Sequence, residues 1–365
     1  MRIYPVLVMV APRGGSPAET WMGDARQAAG LDLCARLTQV EGVRVFVDAP
    51  DSRDRVAFAE LDVQLVPPLE EPFHFGRRLS QICQDHRWTQ AAYFGAASAP
   101  LLSSDTLSEV FEQARSLPAE AGIVNNLHSS DWLVLNQTKA LGTLADRLPK
   151  DNMLGWILSH DAGYRILPKP PETQFRADLD TPADVFMVGG HPHSGDQLGA
   201  FASAADENLK QRIDRLKASL IVPGDSIALI GRASSHVWAR LESELPIWVR
   251  SYVEERGMVA SGRLAEGRVR SLVAEAIERW GPEDFIRLIG EMAQAVVWDT
   301  RVWMGHRGPW PGESDRWASD LGWLDQVKDP SLRDLTQAVL ASPIPIVTGG
   351  QGVVGGSLMA LLDGV

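Results

Sequence analysis

The stretch Phe175-Arg-Ala-Asp-Leu-Asp-Thr-Pro-Ala-Asp184 leaves the chain little freedom. Pro182 ends any extended run, and Thr181 can cap a helix whose first position the proline then fills. If the run before it is extended, Asp178 and Asp180 point to one side, because side chains alternate along a strand. Two hard oxygen ligands on one side suit magnesium, which keeps several waters and is shared with substrate phosphates. An ordinary strand end followed by a capped helix uses the same residues and needs no metal.

Strand-like and helix-like runs alternate upstream of this point. Residues 3–10 are an apolar run that leads into the loop Ala11-Pro-Arg-Gly-Gly-Ser-Pro17. Helical spacing follows over Leu31–Val40, then strand alternation over Val43–Val47. A glycine-rich loop after a first strand lets backbone N–H groups approach an anion, although a plain turn fits as well. The 67–72 segment reads as a linker into a helix that starts near Phe73, whose Arg77 and Arg78 could hold phosphate beside the loop but read rather as a solvated face. After the strand at 91–95 come Pro100-Leu-Leu and a capped helix. Asn125, Asn126, His128, Ser129 and Asp131 follow a short apolar strand. They either line an acceptor pocket at the carboxyl ends of the strands or form an Asx-rich turn before a helix near Asp131. Asp151 or Asn152 is placed to cap a further helix.

The string from Asp178 to Asp184 resembles the Asp-x-Asp-Thr-Pro-x-Asp signature of nucleotidyltransferases of the molybdenum-cofactor guanylyltransferase and phospholactate guanylyltransferase type, a resemblance that extends over roughly residues 1–190. It implies an α/β, Rossmann-like nucleotide-diphospho-sugar transferase domain. It also implies magnesium-dependent transfer of a nucleoside monophosphate from a nucleoside triphosphate to a small phosphate or sugar-phosphate acceptor. On this reading Asp178 and Asp180 hold the metal. Ala11, Arg13, Gly14, Gly15 and Ser98 lie along the nucleotide, with Arg13 neutralising phosphate, and Asn125, Asn126, His128, Asp131 and Asn152 hold the acceptor. The chain departs from the pattern at two places. Arg13 precedes the glycines, where the family has its basic residue after them. Ala96 and Ala97 stand where the family has an aspartate that holds the metal. The metal is then held by Asp178, Asp180 and the nucleotide alone, or another acid, with Asp131 nearest, takes the missing place, or the domain binds nucleotide without catalysing. Sugar transfer from a nucleotide sugar on the same fold stays open beside these.

The chain of 365 residues is long enough for two ordinary domains, and its net charge of −12 argues against nucleic acid as the main partner. No apolar run is long enough to cross a bilayer, and the first residues read as a strand rather than a signal peptide, so the expected location is the cytoplasm. Cys34 and Cys83 have no metal-ligand spacing and read as reduced core thiols. The pattern breaks after Val188, and Gly189-Gly-His-Pro-His-Ser-Gly195 reads as a linker between a domain over 1–188 and a second α/β domain over 196–365. His191 and His193 in it suggest no metal site.

In the second half, a long amphipathic helix is expected over 200–220 and further helices over 265–279, 283–296 and 331–341. Strands are expected at 226–231, from 247, from 296, and at 344–348. Arg232, Ser234, Arg250, Arg301, Gly350 and Gly352 fall at strand ends or helix starts, where an anion could bind. Asp299 and His306 lie near them. Gly350, Gly352 and Gly355 fit Gly-x-Gly-x-x-Gly, but no strand with an acid follows, so a full dinucleotide is not expected.

Overall fold

The computed structural model describes residues 3–69, 72–205 and 207–365. Met1 and Arg2, Glu70 and Glu71 of the expected linker, and Asp206 of the expected long helix lie outside the described residues. By contact the chain forms two compact units. One comprises Met1–Arg13, Gly23–Asp178 and His193–Leu198, and the other Gly14–Met22, Leu179–Pro192 and Gly199–Val365.

The chain order through the first sheet is β1 (Tyr4–Met9), α1 (Pro17–Leu37), β2 (Val43–Asp48), α2 (Ser52–Ala59), β3 (Gln64–Leu65), α3 (Phe75–Asp85), β4 (Ala91–Gly95) and α4 (Ser104–Ser116). It continues with β5 (Ala121–Val124), β6 (Trp132–Leu135), α5 (Lys139–Leu144), α6 (Leu154–His160), β7 (Arg165–Pro168) and the short turn α7 (Thr173–Arg176). The strand order is β3-β2-β1-β4-β6-β5-β7, and β6 runs antiparallel to both β4 and β5. The part 3-2-1-4 is the Rossmann-like half, and its order reverses between β1 and β4, the switch point beyond whose carboxyl ends open α/β sheets place their ligands. Every residue of β1 is buried, as a strand covered on both faces requires. One core packs Val6, Val8, Leu33, Phe58, Phe94, Phe111 and Trp132, and a second packs Leu7, Phe46, Leu79, Tyr93 and Leu158.

The second unit continues with α8 (Pro182–Gly189), α9 (Asp196–Ala204), α10 (Glu207–Leu220), β8 (Ser226–Gly231), α11 (Ser235–Glu244), β9 (Trp248–Val253), α12 (Leu272–Trp280) and α13 (Pro282–Met292). After these come β10 (Ala295–Asp299), α14 (Arg301–Arg307), α15 (Glu313–Leu321), α16 (Pro330–Ala341), β11 (Ile346–Gly349) and α17 (Gly356–Leu362). Its sheet is parallel in the order β11-β10-β8-β9, a doubly wound pattern whose order reverses between β8 and β10. Strands β10 and β11 are buried throughout, whereas the edge strand β9 leaves Trp248 and Val253 exposed. Among the described residues no helix is long and apolar enough to cross a membrane.

Several local expectations change. Helix α1 begins at Pro17 rather than near Leu31, because Ser16 and Glu19 cap it reciprocally: the Glu19 amide donates to Ser16 Oγ at 3.2 Å and the Ser16 amide to Glu19 Oε2 at 2.9 Å. The residues after Asp131 form the antiparallel strand β6, not a helix, since pairing with β4 and β5 buries Trp132 and Leu133. Helix α6 follows Met153 with no side-chain cap, because the side chains of Asp151 and Asn152 are used elsewhere. Phe175 and Arg176 close a helical turn, Ala177 is extended, 178–179 carry no regular structure, and Asp180 lies in a bend, so the expected extended run through both acids is not formed. The expected helix over 200–220 is two helices, residues 265–267 are turn and 268–271 irregular, and α14 follows β10 directly. Arg78 does not lie on a solvated face. It is buried and donates twice to Asp48 at 2.7 Å, while Arg77 stays exposed beside Asp146.

Candidate functional site

At the carboxyl end of β1, Arg13 turns back into its own unit. Its guanidinium meets both oxygens of buried Asp54, at 2.7 Å at the closest, and an oxygen of Asp24. Burial works against its charge, but these carboxylates outweigh that and raise its pKa. Arg13 is therefore already neutralised by protein, on partners 11 and 41 residues away that no local pattern announces. Gly15, in the second unit, has open space around it, whereas a side chain on Gly14 would strike Glu19.

Beyond β4, the Ala96 amide donates to the Met9 carbonyl at 2.9 Å, which ties the loop to β1. Ala96 is buried and faces Gly30 of α1, with no room for a carboxylate, and the half-buried Ala97 does not replace one. The Ser98 hydroxyl donates to the Gly95 carbonyl at 2.8 Å and closes the turn.

The residues expected to hold an acceptor gather at the same edge. Asn125, 2% exposed, donates from its amide to Asp131 Oδ2 at 2.6 Å and accepts the Asp131 amide at 2.9 Å. Asn152 donates to Ser129 at 3.1 Å, the Asn126 side chain accepts the His128 amide at 3.2 Å, and the His128 ring lies by Trp156. Asp131 heads β6 and so reaches this edge because that strand runs backwards. Tyr93 was missed from sequence. Its buried phenol donates to Asp151 Oδ2 at 2.7 Å, and burial, with Asp151 next, holds its pKa well above the usual value. The available signal was a hydroxyl in the apolar strand Ala-Ala-Tyr-Phe.

Along 175–180 burial alternates: Phe175, Ala177 and Leu179 are buried, Asp178 is half-buried and Asp180 exposed. The division between the two units falls between Asp178 and Leu179. Among the described residues no group of three or more His, Cys, Asp or Glu could hold a metal. A pair of carboxylates that shares magnesium with phosphate falls below that count.

In the second unit the motif meets the glycine-rich loop. The Thr181 amide and hydroxyl both donate to Asp184 Oδ2 at 2.7 Å, which holds the start of α8. A side chain on Gly352 would land on the Asp184 carboxylate, and one on Gly349 would meet Thr181 Oγ1 at 2.9 Å. Asp184 is fully buried. Burial first, and the charge of Asp180 second, push its pKa up to about 7. Gly350 and Gly352 thus pack the loop onto α8.

At the edge of the second sheet, Arg232 grips Asp299 at 2.6 and 3.1 Å, and the Arg301 amide donates to the same carboxylate at 3.1 Å. The Arg301 guanidinium goes to buried Asp320 at 2.6 and 3.3 Å, and these carboxylates overcome burial to raise its pKa. Ser234 caps α11, and Arg250 donates to the Met292 carbonyl at 2.8 Å, away from this edge. Glu254 accepts from Ser271, with its Oε2 buried and unpaired. His306 accepts the Ser271 amide on Nδ1 at 3.1 Å. His191 lies 3.3 Å from Asp363, while His193 belongs to the other unit.

No family model matches the sequence, and no curated protein does. Among solved structures, the chain is similar to a cytidylyltransferase from Leptospira borgpetersenii, at 13% identity, 51% of this chain, 84% of that one and a TM-score of 0.37. It is also similar to a nucleotidyl transferase from Methanothermobacter, at 13% identity, 50% and 94% coverage and a TM-score of 0.36. A 4-diphosphocytidyl-2C-methyl-D-erythritol synthase is similar at 14% identity, 52% and 97% coverage and a TM-score of 0.35.

Proposed function

We propose that this protein transfers a nucleoside monophosphate from a nucleoside triphosphate to a small phosphorylated acceptor. The observation that carries the reading is the burial alternation over 175–180, in which Asp178 and Asp180 are less buried than Ala177 and Leu179 beside them. Such a pair suits a magnesium ion, which supplies charge neutralisation at the phosphates when bound. The acceptor oxygen attacks the α-phosphorus and pyrophosphate leaves, a reaction that depends on positioning and electrostatic stabilisation. Gly14 and Gly15 carry the phosphate loop, with Arg13 as its brace through Asp54 and Asp24 rather than as a direct phosphate ligand. Asn125, Asp131 and Asn152 orient the acceptor. Ala96 leaves the metal to Asp178, Asp180 and the nucleotide.

The test is incubation of the full chain with magnesium, each α-labelled nucleoside triphosphate and a panel of small phosphates, with pyrophosphate release and label transfer both read. The expected result is release with at least one pair of substrates, reduced on the order of a hundredfold or more in Asp180→Asn. Absence of release from every triphosphate, or release unchanged in Asp178→Asn and Asp180→Asn, overturns the reading. Label transfer only from a nucleotide sugar would replace it by glycosyl transfer.

A further inference from the structure

The second unit holds two arginines in one charged cluster, and only one of them is satisfied. Arg301 is neutralised by Asp320 and also donates to the Thr300 hydroxyl. Arg316, on α15, has its Cζ 5.3 Å from the centre of the Trp310 ring, and the Trp310 indole is itself fixed by donating to the Arg301 carbonyl at 2.9 Å. Its guanidinium lies 3.4 Å from Glu313, well beyond the range of a strong charge-assisted bond. Its Nε is buried and has no partner. Burial first, and the charge of Arg301 second, hold its pKa below the usual value.

A stacked guanidinium with a buried donor left over is costly unless an acceptor arrives. The neighbouring residue indicates where one would sit. Trp317, next to Arg316 on the same helix, donates its indole N–H to the main-chain carbonyl of Asp180 at 3.2 Å, and the Asp180 charge acts on Arg316. An anion between an arginine and a carboxylate needs a cation to screen the carboxylate, and a magnesium-bound phosphate brings one with it. A planar guanidinium also matches phosphate oxygens two at a time.

Resting on the reading of Asp180 above, we propose that Arg316 is a phosphate-binding residue, which grips a pyrophosphate or the terminal phosphates of a nucleoside triphosphate whose magnesium is held at Asp180.

Calorimetry on the full chain with magnesium pyrophosphate as the probe tests this. Arg316→Gln should weaken binding about tenfold or more, and Arg316→Lys should recover only part, because an ammonium lacks the fork. Arg287→Gln, an exposed arginine on α13, serves as the charge control and should bind as the wild type does. Mass-mapped phenylglyoxal modification of the wild-type chain gives a second readout that does not depend on a variant folding. Arg316 should be protected by magnesium pyrophosphate and not by magnesium chloride. Wild-type binding with Arg316→Gln within about twofold of it, or no protection of Arg316, overturns this inference and leaves nucleotidyl transfer standing. Failure of the wild type to bind either magnesium pyrophosphate or any magnesium triphosphate overturns both.

Discussion

The carboxyl edges of the two sheets use polar residues in different proportions. At the first edge the Arg13–Asp54 and Arg78–Asp48 ion pairs stand beside neutral groups that hydrogen-bond across the switch point: Asn125 on Asp131, Tyr93 on Asp151, Asn152 on Ser129. At the second edge charge meets charge, Arg232 on Asp299 and Arg301 on Asp320, with both acids fully buried. Position at a switch point is therefore not sufficient to identify a ligand site. An arginine whose fork is already closed on a carboxylate has its charge neutralised within the protein, and a residue such as Arg316, with a buried donor to spare, is the better candidate.

The largest effect that would sharpen this contrast comes from opening one of the closed pairs. Asp320→Ala leaves Arg301 buried without its partner and should cost about 3–5 kcal/mol in urea unfolding, whereas Arg301→Met with Asp320→Leu should cost far less. If the single and double variants are equally destabilised, the pair is not the lock described here.

The pH dependence of stability comes next. The pKa of Asp184 rises to about 7 on folding, above its unfolded value near 4, so the native state holds a proton there that the unfolded chain has lost. The resulting stabilisation is fully present below about pH 4 and lost as pH rises through 7. The expected loss is on the order of 4 kcal/mol at most. Denaturant midpoints from pH 4 to pH 8 should show this slope in the wild type and not in Asp184→Asn, and a slope shared by both variants would assign it to other groups.

At the first edge the costs should be smaller. Asn125→Ala removes two bonds to Asp131 in a buried setting and should cost about 1–3 kcal/mol. Tyr93→Phe loses one bond to Asp151, about 1 kcal/mol, and should be the mildest of the four. A cost for Tyr93→Phe as large as that for Asp320→Ala would erase the difference between the two edges.

What the sequence made legible follows the range of the interactions. Strands β1, β2, β4 and β5 and the four strands of the second sheet were legible, while the short edge strands β3 and β7 were not, and Thr181, Pro182 and Asp184 announce the start of α8 because a cap works over three residues. The same local signal, Ser16 with Glu19, marked the true start of α1 and was outweighed by the stronger apolar spacing further along. Strand β6 was read as a helix because four residues carry too little periodicity, and its antiparallel pairing decides the matter from forty residues away. The partners of Arg13, Arg78 and Arg301 lie 11 to 41 residues distant, so whether each arginine is available or already committed could not be read from its neighbours. Both cysteines, by contrast, are buried free thiols as expected, with burial pushing the Cys83 pKa up to about 12.

The seating of Gly349 and Gly352 against Thr181 and Asp184 changes what a mutational scan of residues 349–352 would measure. A glycine-rich loop intolerant of substitution is ordinarily taken as a fingerprint of ligand contact. Here even alanine at Gly352 would have to displace a buried carboxylate, so intolerance would appear in protein lacking any ligand, as lost yield or early melting. A loop of this kind behaves as a socket for a neighbouring helix, and its glycines record the space that the helix occupies.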